Sequence, residues 1–229
     1  MRTDQEQYQK WRGWIAIVLD DIQTVYFHRS MYDGLRELIG KYEERDKECL
    51  FFAFLQNVFV DSLAMGIRRQ IKCDRNSVSL ARLLRELMIS PQLVTRDGYY
   101  ALCRTLDPSV PFYAVARDFS LFGETDATYI DARWVEKDLS KLRSICDPAI
   151  HLADRYIAHK DKRGLEKDVT LEELIAALDV LGNVAKKYYL LFTATDMELY
   201  LQPQVLPWPR PWVDLYYKQG SSQGGGPRE

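Results

Sequence analysis

Histidine is scarce in this chain of 229 residues, with only His28, His151 and His159. Any imidazole chemistry must therefore use one of those positions. Cysteine is equally sparse. Cys49, Cys73, Cys103 and Cys146 are far apart and form no C-x-x-C pair, which argues against structural zinc and against a disulfide framework. They read as reduced thiols of a cytoplasmic protein. Neither a metal nor a cofactor is expected. Long apolar runs are also lacking: Leu50 to Ile67 is broken by Gln56, Asn57 and Asp61, short of the roughly 20 uninterrupted residues that a membrane span needs. That stretch is expected to be a core helix. Met1 to Lys10 is polar and carries no apolar segment of the secretory kind. No excess of one charge exists either. Lys+Arg 31 against Asp+Glu 33 leaves a net charge of -2, which excludes a surface that is basic all over but leaves room for a local basic patch.

Helical periodicity dominates what is present. Tyr8, Trp11, Ile15, Val18, Ile22 and Val25 recur every three or four residues and predict a first helix. The pattern resumes at Met31, Leu35, Leu38 and Tyr42, so the helix either runs on past His28-Arg29-Ser30 or breaks near Ser30. A second helix is predicted over 47–72, with Phe51, Phe54, Leu55, Val58, Ser62 and Met65 on its inner stripe. Asp74 to Ser77 is a turn, Ser79 caps a short helix through Ile89, and Pro91 stops it. Another short helix is expected over 92–106, followed by a loop-rich insertion over 107–128 that contains Pro108, Pro111 and Gly123. Ile130, Trp134, Leu139, Leu142 and Ile145 restore the helical pattern, which meets Pro148, where a kink or a restart is expected. Thr170-Leu171-Glu172-Glu173 is a capping box opening a long amphipathic helix through Phe192.

No stretch alternates with a period of two, so the fold class is all-α: a bundle of four long helices with short accessory ones, since each apolar stripe must find another apolar face. Residues 1–205 are expected to form that helical domain. Residues 206–219 hold Trp208, Pro209, Pro211 and Trp212 and are expected to be extended and packed on the bundle. Residues 220–229, rich in glycine, are expected to be a flexible tail.

Chemistry concentrates at one place. His151, Arg155 and His159 step by four residues, which on a continuous α-helix puts them on one stripe. Lys160, Lys162, Arg163 and Lys167 follow, with Asp161, Glu166 and Asp168 interspersed, so this run is either a phosphate-binding surface or a solvated loop. Arg68, Arg69, Lys72 and Arg75 make a second basic cluster at the end of the second helix, open to the same two readings.

The segment Asp154-Arg155-Tyr156-Ile157-Ala158-His159-Lys160-Asp161 resembles the motif of the HEPN superfamily, an arginine followed by a polar residue and then an Ala-His pair. Phe59-Val60-Asp61-Ser62-Leu63 through Arg68 and Arg69, with Asp74 and Ser77 to Leu84, is similar to the AbiU-type abortive-infection branch. The resemblance implies a homodimer from a prokaryotic defence or toxin-antitoxin setting, with RNA as substrate and an antitoxin or defence protein as a further partner. It implies metal-independent endoribonuclease chemistry, in which His159 is general acid or base and Arg155 stabilises charge on the phosphoryl oxygens. Lys160, Lys162, Arg163 and His151 would hold the RNA. One position departs from the family pattern: at the commoner spacing the arginine would fall at Ala153. The alternative is a non-catalytic HEPN module that binds protein or RNA.

Overall fold

The computed structural model describes residues 3–41, 50–124, 126–157 and 169–196. Seven α-helices lie within them: α1 (Asp4–Lys41), α2 (Leu50–Ile71), α3 (Leu80–Ile89), α4 (Arg96–Leu106), α5 (Phe112–Phe119), α6 (Ala132–Leu152) and α7 (Leu171–Thr193). The long ones form a four-helix bundle in which α1 packs on α2 and α7, and α6 packs on the same two from the opposite corner. α3 lies along α6, while α4 pairs with α5 and touches α7. Among the described residues the sole β-type pairing is an isolated bridge between Thr95 and Tyr129. The chain is therefore an all-α bundle, as its periodicity predicts.

α1 resolves the ambiguity at Ser30 by running through it as one helix of 38 residues. Trp11, Ile15, Val18, Ile22, Val25 and Tyr32 are all buried, so the apolar stripe stays in phase across the polar step and tertiary packing holds the turn together. α6 likewise continues through Pro148 to Leu152, without the restart that proline could impose. α7 begins at the capping box: Thr170 Oγ1 accepts from the Glu173 amide at 3.2 Å, and Glu173 Oε2 accepts from the Thr170 amide at 2.9 Å.

Two sequence expectations are corrected. The inner stripe of α2 is made of Phe59, Leu63, Ala64, Ile67 and Ile71, whereas Phe54 and Val58 are 60% and 48% exposed. α2 is apolar around most of its circumference, so the period alone leaves its phase open. The insertion over 107–128 contains a helix and a 3-10 turn that pack into the core. Asp107 and Pro111 bracket a short turn, α5 starts after Pro111, and its Val115 and Phe119, with Phe122 beyond, enter the core. Pro111 precedes the first helical residue, where a missing amide costs nothing.

Candidate functional site

The last turn of α2 carries Arg68 and Arg69 and is followed directly by Lys72, cations placed where the helix's unpaired carbonyls concentrate negative partial charge. The two adjacent arginines diverge. Arg69 reaches α1, with Nη1 3.5 Å from Asp21 Oδ1. Arg68 turns to the other side and donates its Nε–H directly to Asp154, and the Lys72 ammonium lies 3.4 Å from the same carboxylate oxygen. The link into α3 fixes these positions. The buried Gln70 donates to Asp21 at 2.8 Å and accepts from the Leu80 amide at 3.1 Å, while Arg82 donates to the carbonyls of Asp74, Arg75 and Ser77. Ser79 closes the link by donating to the Lys72 carbonyl and capping α3 through the Arg82 amide.

Asp154 belongs to the segment that the sequence singles out. Where α6 ends at Leu152, the backbone widens into a π-turn over Ala153–Ile157 that packs on α2. A π-turn moves each amide's acceptor from the fourth to the fifth preceding carbonyl. The continuous α-helix on which the stripe depends does not extend from His151 to Arg155: the two stand on either side of a change in helix type. Such single turns are frequent at functional sites. His159, Lys160, Lys162 and Arg163 lie outside the described residues, as does the segment from 206 onward.

Ala153 is fully buried. The position at which the commoner motif spacing puts an arginine thus faces the core, and a small apolar residue fits it. Arg155 is partly buried and Tyr156 is 61% exposed. His151 is exposed on the last turn of α6, its Nε2 3.3 Å from the Asp147 carboxylate one turn earlier. Partial burial opposes the charge on Asp154, but the hydrogen bond and positive charge of Arg68, reinforced by Lys72, outweigh it and hold the carboxyl below the usual range. Asp154 is therefore an anion at neutral pH. The pairing of Asp154 with α2 is what sequence reasoning missed. The available signal was charge complementarity between an acidic residue inside the motif and a basic cluster about eighty positions upstream, which specifies no geometry.

The remaining chemistry-bearing residues stand apart. His28 on α1 shares a 2.7 Å hydrogen bond between its Nδ1 and Ser62 Oγ on α2. Cys146 is buried in α6, which pushes its thiol up to about 12 and removes it as a nucleophile at neutral pH. Among the described residues no group of His, Cys, Asp and Glu could hold a metal ion, and no helix is long and apolar enough to cross a membrane.

No curated protein matches the chain, and no solved structure does. The family model for AbiU2 proteins, of the HEPN type, matches residues 20–219, which takes in the basic end of α2, the π-turn and α7. The chain belongs to the AbiU2 family of HEPN proteins.

Proposed function

We propose that this is an abortive-infection protein of a prokaryotic defence or toxin-antitoxin setting that cleaves RNA without a metal. The observation that supports this reading is the packing of the π-turn carrying Asp154 and Arg155 against the cationic end of α2. Two cations of the α2 end stand there against the residue that precedes the motif arginine, and guanidinium and ammonium groups are the side chains that hold a phosphodiester. In the reaction the ribose 2'-oxygen forms a bond to the adjacent phosphorus, the bond from phosphorus to the 5'-oxygen breaks, and a cyclic phosphate and a 5'-hydroxyl end result. His159 takes the 2'-hydroxyl proton or supplies one to the leaving 5'-oxygen, and Arg155 stabilises the charge that builds on the phosphoryl oxygens. Lys160, Lys162, Arg163 and His151 hold the backbone, and a homodimer brings two such segments to a shared cleft. Incubation of RNA with the protein in chelator tests the reading. Cleavage should persist, leave cyclic or 3'-phosphate ends, and fall by roughly two to four orders of magnitude in His159→Ala. Cleavage that is lost in chelator, or unchanged in His159→Ala, overturns it.

A second reading is favoured by the buried Ala153. With no arginine at the commoner motif position, the protein would be a non-catalytic module that binds RNA or protein. RNA binding with no cleavage by the wild-type protein is the result that selects it.

A further inference from the structure

We infer that Arg68 and Lys72 are a phosphate-binding subsite for single-stranded RNA, and that Asp154 competes with the RNA phosphate for them. The inference deepens the proposed function, and rests on it only in taking RNA as the partner. Three features carry it. A single carboxylate is shared by two cations, so the cluster of Arg68, Lys72 and Asp154 keeps a net positive charge. The cluster is partly open to solvent: Lys72 and Asp154 are 37% and 40% exposed, and Arg68 behind them is 19% exposed, so a ligand reaches the cluster from the Lys72 side. Two neighbouring cations are engaged elsewhere: Arg69 with Asp21, and Arg82 with three backbone carbonyls.

The chemistry of the exchange is simple. A phosphodiester carries one negative charge, like the carboxylate, and offers two oxygens to a guanidinium fork and an ammonium. An incoming phosphate can therefore replace Asp154 at one or both cations, or lie beside it while Lys72 turns outward. Because Asp154 is the residue before Arg155 and sits on the same π-turn, engagement of Arg68 and Lys72 by RNA places the strand next to the arginine of the motif. The competing account is that Asp154 is only a clamp holding the π-turn to α2. The two accounts predict opposite signs for its neutralisation.

The test uses the full chain and a fluorescein-labelled 2'-O-methyl RNA strand, which lacks the attacking hydroxyl and so reports binding alone. Fluorescence anisotropy at several salt concentrations gives the affinity and the salt slope. Asp154→Asn should bind about three- to ten-fold more tightly, the effect of removing one like charge at contact distance in a solvated site. Lys72→Gln, at a partly exposed position and with melting curves checking that it folds, should bind more weakly and lower the slope of log K against log salt by about one. Arg68→Gln should act in the same direction, with melting curves checking that it folds. Binding by Asp154→Asn that is equal to or weaker than wild type overturns the inference, as does an unchanged slope in Lys72→Gln. Failure of both wild type and Asp154→Asn to bind overturns it too. Failure of the cleavage reading looks different: the 2'-O-methyl strand binds as described, and ordinary RNA is left uncut.

Discussion

Trp11 on α1 donates its indole N–H to the Glu86 carboxylate on α3 at 2.8 Å. The same oxygen accepts from Gln7 at 2.8 Å and from the Lys10 ammonium at 2.5 Å, and Arg82 stands 3.7 Å from the other oxygen. Lys10 and Arg82 also lie over the Trp14 ring, at 4.2 and 4.5 Å from its centroid. One acid thus ties the amino-terminal turns of α1 to the helix that follows the basic end of α2. Glu86→Ala should cost about 2 kcal/mol, because it strands several half-buried donors at once. Urea unfolding at pH 7 checks it.

The pH dependence of that contribution has a definite sign. Burial raises the Glu86 pKa, but hydrogen bonds from Lys10, Trp11 and Gln7 outweigh it and leave the folded-state value lowered. A lowered folded pKa means that the stabilisation is complete above the unfolded value, about 4.3, and is lost as pH falls through the folded one. The stability gap between wild type and Glu86→Gln should therefore be full at neutral pH and close progressively in acid below about pH 4. A gap that is constant down to pH 3 would assign the difference to shape and not to charge.

Gly182 on α7 faces Tyr26 on α1 so closely that an added Cβ would stand 2.6 Å from the phenolic oxygen and 3.0 Å from the ring. Tyr26 cannot easily retreat, since its hydroxyl lies 3.2 Å from the Leu178 carbonyl and 3.1 Å from Asp179. Gly182→Ala gains about 1 kcal/mol of helix propensity but meets overpacking of about 1–3 kcal/mol. A net loss of stability is expected. Tyr26→Phe removes the nearest atom, so Gly182→Ala should cost less in that background than in the wild type, and a double-mutant cycle by chemical denaturation reads the coupling.

The phase of α2 gives a direct comparison. Leu63 and Ile67 are fully buried and Phe54 is largely exposed. Leu63→Ala and Ile67→Ala should each cost about 2–5 kcal/mol, while Phe54→Ala should stay within about 1 kcal/mol. The reverse order in a urea series would mean that the stripe read from the sequence is the one that packs.

That contrast marks where the sequence is informative. Ser79 and Thr170 cap helices through contacts three residues away, so type and spacing suffice to read them. The α1 and α7 stripes have one apolar face and one polar face, and period alone orients them. α2 has apolar residues on both sides, and only its neighbours decide that Leu63 goes in and Phe54 stays out. α5 is hidden by Pro108, Pro111 and Gly123, whose usual meaning is loop, although Pro111 here precedes a helix start. At the site, the motif around Arg155 is visible as residue types. The π-turn is a change of hydrogen-bond register that no residue type encodes, and the pairing of Asp154 with Arg68 and Lys72 joins segments that only the folded bundle brings together.

Pro148 provides the last expectation, since it sits inside α6 four residues before that helix gives way to the π-turn. Proline supplies no amide for the Ser144 carbonyl, and its ring crowds that carbonyl, a combination that costs about 3 kcal/mol relative to alanine in a helix interior. Ser144 is exposed and Pro148 only partly buried, so water can take the freed carbonyl and part of the cost is relieved. Proline also restricts the unfolded chain, which returns about 0.4–1 kcal/mol to the folded state. Pro148→Ala should accordingly stabilise the protein by about 1–2 kcal/mol. Amide hydrogen exchange should slow from Ala149 to Ile157, because a continuous ladder of hydrogen bonds would then lead into the turn that carries Asp154 and Arg155. Unchanged stability with unchanged exchange would mean that the chain around Pro148 is already relaxed and that the π-turn owes nothing to it.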